Sequence, residues 1–400
     1  MNFFKQLYCR AYQTCFRIAL PFLPYRQPHI LENNTELVEL LKSQNLSKPL
    51  LVTDKTIRGL GLSYPLENEL KKSNIKAVVF DNVFPNPSIS LIETGLQEYI
   101  NNNCDSIIAL GGGSVIDCAK IIGARSVKPN QPVEKMKGLL KICKKIPTFI
   151  AIPTTAGTES ETTLAAVITD DKTHHKYPIN DFSLIPHYAL LDYNLILGLN
   201  PYITATTGMD ALTHSIEAYI GQSTTPQTRK CAIESIKLIR ENLAVTFRDG
   251  SNALARQNML KASYLAGVSF TKSYVGYIHA IAHSLGGKYG VPHGLANAII
   301  LPTMLKHYGQ SVTNKLSKLA KITGVATDND SKEIASQKFI SWIEKLNKEF
   351  GIPNVVEQLN EDDINELSCI ADKEANPLYP VPKLYDATEL AEIYKKLLKK

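Results

Sequence analysis

From residue 49 the chain alternates short, unbroken apolar runs with longer segments whose apolar residues recur every three to four positions. LLVT, AVVF, SIIAL and FIAIP have the length and composition of strands buried on both faces, and ALLDYN, ending near Asn194, reads as a last one. The intervening stretches 36–44, 66–73, 88–101 and 115–124 have helical periodicity. Strands alternating with helices predict a mostly parallel sheet covered on both faces, with ligands at the strand ends. LILGLNPYIT then reads as a crossing, and from Thr204 onward the pattern is helical only: 231–245, 252–269, 274–285, 295–307, 313–322, 332–350, 361–371 and 387–398. The expected organisation is an α/β domain over residues 1–198, including the N-terminal segment, and an all-α domain over 199–400. An active site is expected in the cleft between them. Four hundred residues exceed one ordinary core, in agreement with two domains.

The first thirty-one residues hold no acid. Lys5, Arg10, Arg17 and Arg26 lie among apolar and aromatic neighbours, and Phe4, Leu7, Tyr8, Ala11, Cys15 and Ile18 recur at helical spacing until Pro21 and Pro24 end the pattern. This reads as a helix packed on its own protein or on an oligomer partner, with a membrane-surface helix as the alternative. It does not read as a secretory signal, because Arg17 interrupts the apolar core and no small-residue cleavage site follows.

Composition narrows the class. A net charge of +6, from 44 basic and 38 acidic residues, is mild and forms no basic run, so nucleic acid is not an expected partner. Seven scattered cysteines, an odd number without CxxC spacing, point to a reducing cytoplasm. No apolar stretch approaches the roughly 20 residues that span a bilayer.

The chemistry concentrates in two histidine-bearing stretches. In YVGYIHAIAHSLGGKYGVPHGLANAIILP, His279 and His283 lie one helical turn apart, Gly286 and Gly287 offer a stop, and Pro292 places His293 at the mouth of a second helix. In TTGMDALTHSIEAYI, Asp210 and His214 sit at i and i+4, on one face. Either pair alone reads as packed core residues. Two such pairs plus His293 read as a metal site, since a metal of intermediate softness takes imidazoles and a carboxylate from separate helices with one position left open.

Three further stretches bear on a nucleotide. SIIAL runs into GGGSVIDCAK, a glycine-rich strand-to-helix turn where exposed N–H groups favour a diphosphate, although it is not GxGxxG and such turns are also just turns. FIAIP leads into PTTAGTESETT, with the hydroxyls of Thr154, Thr155 and Thr158 at a strand end. Asp54 ends LLVT, where a carboxylate can accept both hydroxyls of a ribose or simply cap the next helix.

From about residue 30 onward these residues resemble the iron-containing alcohol dehydrogenase family. The resemblance implies Asp210, His214, His279 and His293 as metal ligands and His283 as an unligated histidine beside the nicotinamide. It implies Gly112, Gly113 and Ser114 as pyrophosphate contacts, with Asp117 following them or serving only the first helical turn. It assigns the loop of Thr154, Thr155 and Thr158 to the nucleotide, Lys176 in HHKYPI to the ribose and nicotinamide or to solvent, and NPLYPV to a closing loop. One departure is Glu159, where the family has a small residue; its carboxylate either narrows the cofactor groove or faces solvent. The implied activity is metal-dependent, NAD(P)-linked oxidation of a small alcohol, or reduction of the aldehyde, with Fe2+ or Zn2+ as the ion; Asp54 makes NAD the expected cofactor over NADP. His283 is a candidate for passing the alcohol proton, or for structure alone. Glycerol dehydrogenase-like polyol oxidation and a dehydroquinate synthase-like lyase share the fold; the latter's basic phosphate cluster is not evident. A non-catalytic metal-binding protein would require vestigial nucleotide loops. A homodimer or higher homo-oligomer is expected.

Overall fold

The computed structural model describes residues 1–172 and 176–399. They form two compact units, Pro24–Leu199 and a second comprising Met1–Leu23 with Asn200–Lys400. The first 23 residues therefore belong with the helical unit, not with the α/β unit to which the sequence reading joined them.

In the α/β unit the strands are β1 (His29–Leu31), β2 (Pro49–Asp54), β3 (Val78–Val83), β4 (Ser106–Gly111), β5 (Gly138–Leu139), β6 (Thr148–Pro153), β7 (Ala165–Thr169), β8 (Lys176–Asn180) and β9 (Tyr188–Leu190). Six make one sheet in the order β1-β9-β6-β4-β2-β3, every pairing parallel. Side chains alternate across it. Leu50, Val52, Ile107 and Ala109 pack against the helices Ile89–Asn101 and Gly113–Val127, while Leu51, Ile108 and Leu110 pack against Asn34–Ser43 and Tyr64–Lys72. Burial on both faces is why these strands are written as unbroken apolar runs. The chain runs from β2 outward to β3 and then returns to β4 on the other side of β2, so the order reverses between β2 and β4. Their carboxyl ends flank a switch point of the kind that binds ligands in open α/β sheets.

Three features differ from the sequence reading. ALLDYN contributes a strand only to Leu190, because the Asp192 side chain accepts a hydrogen bond from Asn194 N and turns the chain into a 3-10 helix, Tyr193–Ile196. A second sheet, β5-β8-β7, lies beyond the predicted strands; β5 has two residues, and β7 and β8 pair antiparallel with alternate residues buried. Lys55–Gly59 is a further short helix, capped by Asp54.

The helices, numbered in chain order, begin with α1 (Phe3–Ala19) in the helical unit. They continue with α2 (Asn34–Ser43), α3 (Lys55–Gly59), α4 (Tyr64–Lys72), α5 (Ile89–Asn101) and α6 (Gly113–Val127) around the sheet. The rest of the helical unit is α7 (Pro201–Ile220), α8 (Pro226–Arg248), α9 (Ala253–Ser273), α10 (Tyr277–Tyr289), α11 (His293–Tyr308), α12 (Gln310–Ile322), α13 (Lys332–Glu349), α14 (Ile364–Ala375) and α15 (Ala387–Leu397). Helix α7 is buried along nearly its whole length from Thr204 to Ile220 and forms the unit's axis. The helix expected over 274–285 starts three residues later, since Tyr274 adopts φ 60 and Gly276 is extended. It also runs through Gly286 and Gly287; the residue that ends it is Gly290, left-handed at φ 69. Among the described residues no helix is long and apolar enough to cross a membrane.

Candidate functional site

Helix α7 presents Asp210, His214 and Glu217 on one face, at i, i+4 and i+7. His279 comes from the first turn of α10, and His293 is the first residue of α11. Close approach of α11 to α7 depends on Gly294, whose added Cβ would stand 2.4 Å from the Thr206 carbonyl oxygen. The donor atoms of Asp210, His214, His279 and His293 all lie within 4.8 Å of one another. Asp210 Oδ1 is 3.9 Å from His214 Nδ1, 3.8 Å from His279 Nε2 and 3.6 Å from His293 Nε2, and it accepts a hydrogen bond from Asn297 Nδ2 at 2.6 Å. Phe270 stacks on the His214 ring at 4.1 Å, which fixes its plane.

Burial distributes unevenly. The Asp210, His214 and His279 side chains are 4 %, 6 % and 1 % exposed, whereas that of His293 is 41 % exposed and that of neighbouring His283 43 %. The cluster is thus closed on one side and open on the side of His293 and His283. Burial, reinforced by the neighbouring His214, His293 and His283, holds the His279 imidazole well below its ordinary pKa, so it is neutral and able to donate a lone pair.

Two carboxylates outside the ligand pattern orient these rings. Glu217 accepts hydrogen bonds from the N–H groups of Gly276 (2.8 Å) and Ile278 (2.9 Å) and lies 2.6 Å from His279 Nδ1. A Cβ on Gly276 would come within 2.6 Å of Glu217 Oε1, so glycine is what lets the carboxylate reach the backbone. A proton on Nδ1 leaves the Nε2 lone pair facing Asp210. Among the described residues that nitrogen is buried without a hydrogen-bond partner, as expected of an atom that faces a cation. The donor set of three imidazoles and a carboxylate fits a single divalent ion such as iron or zinc. Glu217→Gln keeps the shape and removes the charge; it is expected to weaken metal affinity about 10- to 100-fold in a chelator-competition titration, with the fold intact by circular dichroism.

The second carboxylate is Glu374 on α14, whose Oε1 lies 2.6 Å from His283 Nδ1 and accepts the Tyr379 hydroxyl at 2.8 Å. His283 stacks on His293 with centroids 5.1 Å apart, which places it beside the cluster and outside the mutually close donor set. Although burial works against it, Glu374 raises the His283 pKa above its ordinary value. Glu217 and Glu374 were missed in the sequence. Glu217 had a readable signal, since it continues the Asp210, His214 face of α7 by one turn; Glu374 had none.

In the α/β unit, Gly112 caps α6 in extended backbone, and Gly113 and Ser114 form its first turn. Gly111 is in register with Pro153, and Thr154 N donates to Gly111 O at 3.1 Å, so the two loops lie side by side at the ends of β4 and β6. Thr155 Cγ2 would be 4.0 Å from a Cβ on Gly112, and Thr158 Oγ1 3.3 Å from one on Gly113. Among the described residues the hydroxyls of Thr155 and Thr158 are buried without hydrogen-bond partners. A glycine cradle lined with two unspent hydroxyls, at a helix N-terminus, suits a diphosphate. Asp54 stands at the end of β2, the strand adjoining β4, and accepts the Ile57 N–H at 2.8 Å as a helix cap. Ser114 Oγ accepts Asn86 N at 3.3 Å. Lys176 is exposed at the start of β8, in the second sheet.

Asp117 does not face the glycine cradle freely. Its two oxygens accept from Ser160 Oγ and from Val167 N, tying α6 to the loop after β6 and to β7. Lys120 fastens the same loop, donating to Ala165 O at 2.7 Å and Thr163 O at 2.9 Å, and burial lowers its pKa to about 8.

Glu159 does not face solvent: it is fully buried, with φ 52, a backbone region that glycine adopts without strain. Burial, then the Glu159 charge, pushes neighbouring Glu161 from its ordinary 4.5 up to about 8. A carboxyl raised in the folded state binds a proton that the unfolded chain has released, so stability falls as pH rises from 4.5 towards 8. Glu159→Gly is expected to raise the melting temperature at pH 8 and to flatten its decline between pH 5 and 8 by comparison with wild type.

Comparison with known proteins agrees with this geometry. Residues 30–193 match the model of the iron-containing alcohol dehydrogenases and residues 204–398 that of the C-terminal domain of the same family. The chain is 36 % identical to 1,3-propanediol dehydrogenase of Citrobacter freundii over 384 residues, 95 % of this chain and 98 % of the relative. It is 34 % identical to lactaldehyde reductase of Escherichia coli K12 over 318 residues, 79 % of this chain and 83 % of that one. The solved structure of an alcohol dehydrogenase from Oenococcus oeni superposes with a TM-score of 0.88 at 32 % identity, covering 94 % of this chain and all of the other. With both halves of the chain matched and relatives 36 % and 34 % identical over most of its length, the chain belongs to the iron-containing alcohol dehydrogenase family.

Proposed function

We propose that the protein is a metal-dependent, nicotinamide-linked alcohol dehydrogenase, or aldehyde reductase, for a small alcohol or its aldehyde. The observation that carries the reading is the mutual closeness of Asp210, His214, His279 and His293, with an orphaned, neutral His279 nitrogen among them. Asp210 and the three imidazoles hold the ion, iron by family membership, and Glu217 keeps His279 in the binding tautomer. When bound, the ion supplies a Lewis acid for the substrate oxygen, and the nicotinamide takes or delivers the hydride. His283, steadied by Glu374, accepts the alcohol proton on the open side of the cluster and returns it in the reverse direction. Gly112, Gly113 and Ser114 seat the diphosphate of the dinucleotide, with Thr154, Thr155 and Thr158 alongside and Lys176 as an outer cation. Asp117 and Lys120 hold the loop that presents those threonines.

Substrates of two to four carbons with one or two hydroxyls are the first to test, because the relatives are named for propanediol and lactaldehyde. Iron-loaded protein, assayed by absorbance of reduced nicotinamide against a panel of such alcohols and aldehydes, should turn over at least one pair. Silence across the panel in fully loaded protein would overturn the reading. Seven free thiols agree with a reducing cytoplasm, and a homo-oligomer of two or more copies is the proposed assembly.

NAD is the proposed dinucleotide, because Asp54 at the switch point accepts ribose hydroxyls with the capacity its cap leaves. It also repels a 2′-phosphate by roughly 4 kcal/mol per unit charge pair at about 4 Å and an effective dielectric near 20, before screening. Asp54→Gly is expected to shift the ratio of kcat/KM for NAD over NADP by about 10-fold or more towards NADP. Equal use of both by the wild type would remove Asp54 from the site.

A further inference from the structure

Helix α1 is mounted with its apolar side outward. Its inner face is held mainly by polar contacts, alongside buried Cys9 and Phe16 edge-on to Tyr274 at 5.0 Å: the N-terminal ammonium pairs with Asp386 at 2.6 Å, Lys5 with Asp372 at 2.7 Å, and Gln13 Nε2 donates to Tyr379 O at 2.7 Å. Arg10 donates to the carbonyls of Val381 and Pro382 at 2.7 and 3.0 Å. Only Cys9 and Gln13 of this helix are buried. The outer face carries Phe4 (80 % exposed), Tyr8 (60 %), Ala11, Cys15, Ile18 (64 %) and, just beyond the helix, Phe22 (85 %). Their spacing is 4-3-4-3-4, the 3.5-residue repeat with which one helix packs along another. Phe3 and Leu7 widen the stripe.

A stripe of this kind asks for a cover. With large aromatic side chains offering 150–250 Å² each, the exposed residues from Phe3 to Phe22 present on the order of 800 Å², beyond the patch of an ordinary monomer and equal to one side of a standard interface. The helix lies outside both family-model matches, which begin at residue 30, so the stripe is an addition to the two matched domains. A lipid surface is the weaker occupant. A helix that lies on a bilayer keeps its cations free beside the apolar face, whereas Lys5 is tied to Asp372 and Arg10 to the carbonyls of Val381 and Pro382, leaving Arg17 as the α1 cation not drawn to the inner side. The stripe is self-complementary in size and chemistry, as a two-fold contact requires.

We infer that the outer face of α1 is the docking surface for α1 of a second copy of this chain, the two helices packing stripe to stripe. This rests on the homo-oligomer reading above and names its surface. The test is sedimentation velocity of the full-length, metal-loaded protein, wild type against Tyr8→Glu/Ile18→Glu; both positions are exposed in the single chain, so the fold is spared. Wild type should be a dimer or an even multiple of one. The variant should dissociate with a constant raised at least about 30-fold, since a charge placed in the middle of such a contact costs 2 kcal/mol or more. An oligomeric variant with an unchanged constant would overturn the surface and leave the oligomer reading standing; a monomeric wild type would overturn both. Cys15 lies on the stripe and is free. A bismaleimide should join two wild-type chains through it and fail in Cys15→Ser; a cross-link that survives in that variant, through Cys143 or Cys369, counts against the pairing. Wild type should also stay in solution with vesicles of phosphatidylcholine and phosphatidylglycerol. Co-sedimentation that Tyr8→Glu/Ile18→Glu abolishes would give the stripe to lipid instead.

Discussion

Asp210→Ala should lose both its metal and its activity. The carboxylate is the one anion among the four donors, its Oδ1 stands within 3.6–3.9 Å of a nitrogen of each imidazole, and its side chain is only 4 % exposed. Three neutral imidazoles without it would bind a divalent cation far more weakly, because the site would have to desolvate the ion without neutralising any of it. Turnover is expected to fall on the order of 10³-fold or more, as loss of a Lewis acid worth several kcal/mol implies. Metal content by elemental analysis should fall with it. The same is expected, less severely, for His293→Ala, whose ring is the most exposed of the ligand set. A His293→Ala protein with full metal occupancy would strike that residue from the set, and turnover undiminished by a strong chelator would strike the metal itself.

His283→Ala separates binding from proton transfer. The ring is stacked on His293 but does not belong to the close donor group, and Glu374 grips its Nδ1 as an orienting carboxylate grips a catalytic histidine. With the imidazole gone, the four-donor cluster and the glycine and threonine loops are untouched. The variant is expected to keep its metal and its affinity for NAD while losing roughly 10²-fold or more in turnover. Glu374→Gln should show a smaller loss of the same kind, since it leaves the ring in place with a weaker partner. Unchanged turnover in His283→Ala would reduce the residue to packing, and loss of metal would move it into the ligand group.

The sequence alone carried the fold class and drew attention to the four candidate metal donors, in part for a geometric reason. In a helix, i and i+4 share a face whatever surrounds them, so Asp210 with His214 and His279 with His283 could be read as convergent pairs before any tertiary contact was known. The unbroken runs at β2, β4 and β6 likewise announced strands covered on both faces, because burial leaves no polar side to alternate with. What periodicity cannot say is what a face turns towards. It found α1 amphipathic, yet only the tertiary structure shows the polar side turned inward and the apolar side out, since the partners of Lys5 and Gln13 lie more than 360 residues away. Asp117, an apparent companion of the glycine turn, is instead taken by Ser160 and Val167. Glu217 and Glu374 reach the histidines across 62 and 91 residues of sequence. A ligand's chemistry is local and can be read along one helix; the hydrogen bonds that orient it come from wherever the chain folds back, and there the tertiary structure decides.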